Sequence, residues 1–255
     1  MTLCAAVTLL ALSAQPAAPA APAAQPAGPL ADLTAAVARM AGKAPVQARV
    51  EHRYTIAMGD EPARPEGVVE ALAAAGPDGL QVTWSTAVLA AVEREEQRRA
   101  VEPDAPMPLH DAVLDLKPLA LAQALDAAPE LLRTLQRAEL LEALTEEKDG
   151  VTRTVLLLKV SPVLGTRERR YVKELTGTAR LWLGADGLPV AAEVKAHARG
   201  RAFLVIGFES EQLESYRFAR VGDRLVVTHH ETDLRSEGAG DKTRRHSLTS
   251  LTLLP

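Results

Sequence analysis

A single cysteine, Cys4, occurs in the 255 residues. One thiol gives no disulfide partner and no thiolate set for a structural zinc site. Cys4 also precedes most of the apolar run around it, whereas a lipidated anchor cysteine follows such a run. Aromatic residues make up only 3% of the chain against 47% hydrophobic residues, so the core must be aliphatic. The net charge is -4, with both signs interspersed. That pattern has no basic block for nucleic acid or for an anionic membrane surface.

Catalytic signatures are missing as well. The chain has no GxSxG or SxxK for an activated serine, and no HExxH for a zinc hydrolase. It has neither GxxxxGKS/T nor GxGxxG to cradle a phosphate. Gly238-Ala239-Gly240-Asp241-Lys242 lies between two strand patterns and reads as a turn. The carboxylate pairs Glu95-Glu96 and Glu146-Glu147 fall on charged stretches read as helical, where solvation is the default. The short basic runs at 167–170 and 242–245 read as solvated loop ends. No catalytic, cofactor-binding or metal-binding residue is expected, and the ligand-binding residues are left unknown.

The longest apolar run near the start, residues 4–12, is followed by the small-x-small pattern Ala11-Leu12-Ser13. It is far shorter than the roughly 20 residues that span a bilayer. Residues 1–14 therefore read as a signal peptide, which makes the protein exported, to the periplasm or the extracellular space. Residues 15–29 are Pro/Ala-rich and read as an extended linker. Residues 30–255 read as one α+β domain with a helical insertion at about 86–148.

That domain is organised around residues 174–208. Gly184-Ala185-Asp186-Gly187 separates two strand patterns, and Gly with Asp is turn chemistry. Leu188, Val190, Ala192, Val194 and Ala196 share one face, with Glu193 and Lys195 on the other. His197-Ala198-Arg199-Gly200 reads as the next turn, and residues 202–208 as a third strand. Ahead of this core, residues 30–42 form an amphipathic helix. Residues 46–58 alternate, placing His52 and Tyr54 with Val50. Residues 66–74 and 80–85 follow as strands about Gly76-Pro77-Asp78-Gly79, and Trp84 shares a face with Val82.

The pattern turns helical at Thr86. Residues 86–100 place Val88, Leu89 and Val92 inward, with Glu95 and Arg99 as a surface i,i+4 pair. Residues 109–127 are split at Pro118. Residues 129–147 make the most regular helix, with Leu131, Leu135, Ala138 and Leu141 on one stripe and Asp149-Gly150 as its stop. Strands then run to the end: 151–160, 169–183, 212–219, 224–233 and 244–254. Consecutive hairpins give one antiparallel sheet with helices on one face.

Of the six histidines, His229 and His230 are adjacent. Neighbours on a strand point to opposite faces, so they cannot easily share a metal. No other close His/Asp/Glu grouping has ligand spacing.

Residues 176–190, Thr-Gly-Thr-Ala-Arg-Leu-Trp-Leu-Gly-Ala-Asp-Gly-Leu-Pro-Val, resemble the strand, Asp/Gly turn, Leu-Pro, strand hairpin of the periplasmic lipoprotein carriers and their relatives. The order of elements is similar to theirs in outline. The strands before the helical block are few for that superfamily, and residues 76–85 lack its usual pattern. The resemblance implies an N-terminal helix, a curved half-barrel-like antiparallel sheet, and inserted helices that cap its concave face. It also implies a groove for acyl chains. The expectation is thus a non-enzymatic exported protein that binds an apolar ligand or a lipidated partner, with peripheral association to the envelope. The alternative is a structural or interaction module of the cell envelope with a filled core.

Overall fold

A computed structural model describes residues 28–40, 42–148, 150–161, 171–202, 206–238 and 241–255. The expected signal peptide, Cys4 and nearly all of the linker lie outside these residues. The chain folds as α1 (Pro29–Ala38), β1 (Val46–Met58), β2 (Gly67–Gly76), β3 (Gly79–Trp84), α2 (Thr86–Val101), α3 (Pro108–Asp115), α4 (Pro118–Leu125) and α5 (Ala128–Leu135). Then come β4 (Glu139–Lys148), β5 (Val151–Lys159), β6 (Val172–Leu183), β7 (Pro189–Ala202), β8 (Ile206–Val221), β9 (Arg224–Gly238) and β10 (Asp241–Leu253). The fold is α+β, built on a curved, open antiparallel sheet.

The ten strands lie in the order β3-β2-β1-β10-β9-β8-β7-β6-β5-β4. Every neighbour pair is a sequential hairpin except one: β10 returns to lie beside β1, with His52 opposite Thr249 and Val50 opposite Leu251. The sheet does not close, so β3 and β4 are its edges. Turn glycines with positive φ stand at Gly79, Gly150, Gly187 and Gly222, a backbone that L side chains rarely adopt.

Strand alternation decides which face is covered. In β1, residues Val46, Ala48, Val50, His52 and Tyr54 are buried, while Gln47 and Arg49 are exposed. This inner face meets the helices. Leu116, Leu121 and Leu125 form one buried cluster with Val46, Ala48, Val50, Ala73, Val226 and Leu251. Leu33, Val37 and Leu135 form another with Leu156, Leu158, Leu181, Leu188 and Leu225. The opposite face carries a smaller cluster, in which Trp182 packs with Val155 and Ala191. Burying such aliphatic side chains stabilises by about 1.5–3 kcal/mol each.

Prolines punctuate the helical segment as the sequence requires. Pro108, Pro118 and Pro129 each sit in the first turn of a helix, where the missing N–H is no loss. The split at Pro118 is where it was expected.

Three expectations need correction. The helix placed over 129–147 ends at Leu135, and Glu139–Lys148 is edge strand β4. The insertion is helical only through α5, not to 148. Leu, Glu and Ala favour helix locally. Pairing with β5, with Leu140 opposite Leu158 and Leu144 opposite Val155, overrides that preference. Of the pair Asp149-Gly150, expected to stop a helix, Asp149 lies outside the described residues, and Gly150 with positive φ directly precedes β5. Glu146 accordingly lies on a strand, where it accepts from Trp182 Nε1 at 3.2 Å and pairs with Arg180 at 3.4 Å.

The turn expected at 197–200 is also absent. Those residues sit inside β7, paired on both sides. Gly200 is needed for close approach: a Cβ there would lie 2.1 Å from the Tyr171 carbonyl oxygen and 2.6 Å from the Phe208 ring. Of the strand expected at 202–208, Ala202 ends β7, and residues 206–208 belong to β8, which runs on without a break through 212–219. Residues 203–205 lie outside the described residues.

The third correction concerns α2. Leu89, expected inward, is 52% exposed. Glu95 is buried and not paired with Arg99, whose guanidinium donates to the Ala105 carbonyl at 2.7 Å. The Glu95 carboxylate accepts the Leu109 and His110 amides at 3.2 and 3.0 Å. It satisfies donors that the first turn of α3 leaves open, so α2 turns a carboxylate toward α3.

A contact at Gly67 fixes α3 against β2. A Cβ at this position would fall 1.9 Å from the Pro108 carbonyl oxygen and 3.0 Å from Ala112 Cβ. Neither neighbour is the tip of a flexible side chain. Gly67→Ala is therefore expected to lower the unfolding free energy by about 1–3 kcal/mol. Urea denaturation checks this; an unchanged midpoint would show that α3 does not press on this strand.

Candidate functional site

The seam between helices and sheet contains most of the buried chemistry. One register row runs across seven strands of the inner face: His52, Thr249, His230, Tyr216, Ala192, Leu181 and Leu156. The row changes character along its length. At the β5–β7 end it is aliphatic and lies against α1 and α5. At the β1–β9 end it is polar.

The polar end is tied to α3. The His52 ring is buried, with Nδ1 at 2.9 Å from Thr249 Oγ1 and Nε2 at 3.3 Å from Asp115 Oδ2. Asp115 is the last residue of α3, so one imidazole joins strands β1 and β10 to the helical segment. His52 Nε2 is buried, and its 3.3 Å approach to Asp115 Oδ2 does not make a well-formed hydrogen bond. Tyr54 lies one strand repeat away, with the Arg245 guanidinium 5.8 Å from its ring centre. Burial raises the Tyr54 phenol above its ordinary value, and Arg245 opposes that.

Next along the row, His230 stacks on Tyr216 with ring centres 4.3 Å apart and planes 10° from parallel. The Tyr216 hydroxyl donates to Glu214 Oε2. Burial first, and then the Glu214 charge, push the Tyr216 phenol far above its ordinary range. His230 Nε2 is 3.2 Å from Thr232 Oγ1. Burial lowers the His230 pKa below 6.5, and His229, His52 add to the lowering while Glu214 and Asp115 oppose it.

The sign of the His230 shift sets a pH dependence. With a depressed folded-state pKa, the unfolded chain binds more protons between that value and 6.5. Stability then rises with pH through this window and falls as pH drops below 6.5. His230→Gln, which carries no titratable ring, is expected to narrow the gap between urea midpoints at pH about 7.5 and about 5. An unchanged gap would assign the acid sensitivity to other groups.

Thr249, His52 and Asp115 have the order of a nucleophile, base and orienting carboxylate. The His52 ring is buried between the sheet and the end of α3. What the trio can do is fasten α3 to the sheet.

The adjacent histidines separate as strand alternation demands. His230 faces Tyr216 inside, and His229 faces outward with its Nε2 3.7 Å from Glu231. On that outer face the expectation of no ligand-like grouping is corrected: Glu231, Asp233 and His246 place one ligand atom each within 4.8 Å of one another. The cluster crosses from β9 to β10, so spacing along the sequence does not show it. A signal existed in the hairpin. Asp233 lies five residues before Gly238, and His246 five after Asp241, which pair with each other. His52 was also readable as inward-facing, but its partners come from residues 115 and 249, and no local pattern connects those.

Fold and seam define a class: an α+β protein with an open, curved antiparallel sheet whose inner face is packed with helices. No helix among the described residues is long and apolar enough to cross a membrane. Comparison with family models, curated proteins and solved structures returned no match.

Proposed function

We propose that this is an exported, non-enzymatic protein that takes an apolar ligand, or the acyl chain of a lipidated partner, onto the inner face of its sheet. Residues 86–135 form a displaceable cover on a half-barrel-like sheet. One observation supports this reading above the rest: the helical segment leaves from edge strand β3 and re-enters at edge strand β4. A cover whose chain connections are at the two open edges lifts without breaking any strand pairing, once the Asp115–His52 and Ala127–Leu225 contacts are released.

The composition of the seam fits that role. Beneath α4 and α5 it is aliphatic on both sides, so an acyl chain would replace like with like. Three of the four helices are eight residues long and joined by short links. Helices of that length are marginal alone and hold their shape by packing. The polar contact of Asp115 with His52 fastens the cover when no ligand is present. The signal-peptide reading of residues 1–14 and the carrier-like hairpin at 176–190 agree with an envelope role, and nothing basic recommends nucleic acid.

Protein purified natively from envelope extracts, then extracted and analysed by mass spectrometry, is expected to release a co-purifying lipid. Lipid-free protein would count heavily against the reading. A second reading is an envelope interaction module with no ligand. It is favoured by the tight burial under the cover, where Leu121 is 1% and Leu125 and Val226 are 0% exposed. A pull-down dominated by one envelope protein, with no lipid released, would favour it.

A further inference from the structure

The outer face of the β9–β10 hairpin carries a group of side chains that the proposed cover does not use. Glu231 and Asp233 stand two apart on β9 and so share a face, with His229 two residues earlier on the same face. His246 lies directly opposite Asp233 on β10. Its Nδ1 is 3.0 Å from Asp233 Oδ1, and its Nε2 is 3.9 Å from Glu231 Oε1. On the other side His229 Nε2 lies 3.7 Å from Glu231 Oε2.

We infer that His246, Asp233 and Glu231, with His229 able to join them, form a binding site for a divalent transition-metal cation of the zinc class. Three properties of the cluster carry this. The first is reach: ligands on bonds of about 2.0–2.2 Å around a tetrahedral ion sit roughly 3.3–3.6 Å apart. Taking one ligand atom from each of Glu231, Asp233 and His246, all three lie within 4.8 Å of one another, so drawing them to that range takes side-chain rotation.

The second is charge. Among the described residues, the ion-pair partners of Glu231 and Asp233 are histidines alone. Glu231 and Asp233 stand side by side on β9, and among the described residues neither has a guanidinium or ammonium within ion-pair distance. The arginines beside the cluster, Arg217 opposite His229 and Arg235 opposite Arg244, are ion-paired to neither carboxylate. A cation resolves that imbalance better than a proton does, because it engages all the ligands together. The third is ligand type. Imidazole with carboxylate suits zinc and its neighbours, and the cluster holds no cysteine to favour softer ions. All four side chains are partly exposed, at 31–51%, so an ion has access from solvent.

The competing account is a histidinium pair: His246 protonated between two carboxylates, with no affinity for metals. Isothermal titration of the untagged full chain with Zn2+ at pH about 7.5 distinguishes the two. The expected result is one saturable Zn2+ per chain. His246→Gln and, independently, Asp233→Asn should each weaken it by roughly tenfold or more. His197→Gln alters the other outer-face pair, whose Nε2 is 2.8 Å from Glu209, and should leave binding unchanged. Circular dichroism verifies that the variants fold. Glu231→Gln, also at a partly exposed position, replaces whichever variant does not. No saturable binding, or binding that survives all of these substitutions, overturns the inference. Loss on His197→Gln alone does so too.

Discussion

Leu125→Ala is expected to lower the unfolding free energy by about 3–5 kcal/mol. Leu125 is 0% exposed and sits where α4 meets the sheet, in a cluster with Val46, Val50, Val226 and Leu251. Two features place it at the upper end of the range for such truncations. The strands beneath are held by ladders on both sides, with β1 between β2 and β10, so the sheet cannot collapse into the cavity. The helix above is fixed at its far end, where the Ala127 amide donates to the Leu225 carbonyl at 2.8 Å. Urea denaturation at neutral pH provides the check. The midpoint should fall with an unchanged slope, since the area exposed on unfolding stays nearly the same. A loss below about 1 kcal/mol would mean that α4 rests loosely on the sheet. The variant also bears on ligand uptake, because the space it opens is aliphatic and lies on the path proposed for an acyl chain.

The second large effect is at His52. His52→Ala is expected to cost about 2–4 kcal/mol, from a lost buried ring and from the groups it leaves behind. Thr249 loses its 2.9 Å partner, and Asp115 loses the 3.3 Å contact that holds the end of α3 to β1. The outcome separates packing from anchoring when Asp115→Asn and the double variant are measured beside it. If the imidazole fastens α3, the two substitutions couple and the double variant loses less than the sum. Strict additivity would reduce His52 to a packed core residue. The same variants should speed ligand entry, because they release the cover without touching the aliphatic seam.

Much of the fold was legible wherever local chemistry and tertiary pairing agree. The alternation of β1 names its buried face from Val46 to Tyr54 but fails beyond it, where Met58, expected inward, is exposed and Ala57 is buried; the split at Pro118 follows from a missing amide. The Asp186-Gly187 hairpin follows from turn chemistry, with the Leu188 amide donating to Asp186 Oδ1 at 3.1 Å. Reading failed where a distant partner decides. Glu139–Lys148 is composed of helix formers, and only β5 makes it a strand. Gly200 looks like a turn residue, yet it is the space that Phe208 and Tyr171 require. Glu95 reads as one more charge on a solvated helix until α3 presents two amides to it. The seam was the least visible part. His52, Asp115 and Thr249 meet only because β10 closes beside β1, and that pairing joins residues almost 200 apart in the chain.

The central proposal is that residues 86–135 cover a surface able to hold an apolar chain. Titration with a fluorescent fatty acid, in the parent protein and in His52→Ala, tests it most directly. Trp84 gives an internal reporter, since it packs beside Val88 and Val113 where the helical segment begins; Trp182→Phe removes the other tryptophan. The account predicts saturable uptake at one ligand per chain, a matching change in Trp84 emission, and faster uptake in His52→Ala. Non-saturating uptake with unchanged Trp84 emission in both proteins would contradict it and leave the inner face as a filled core.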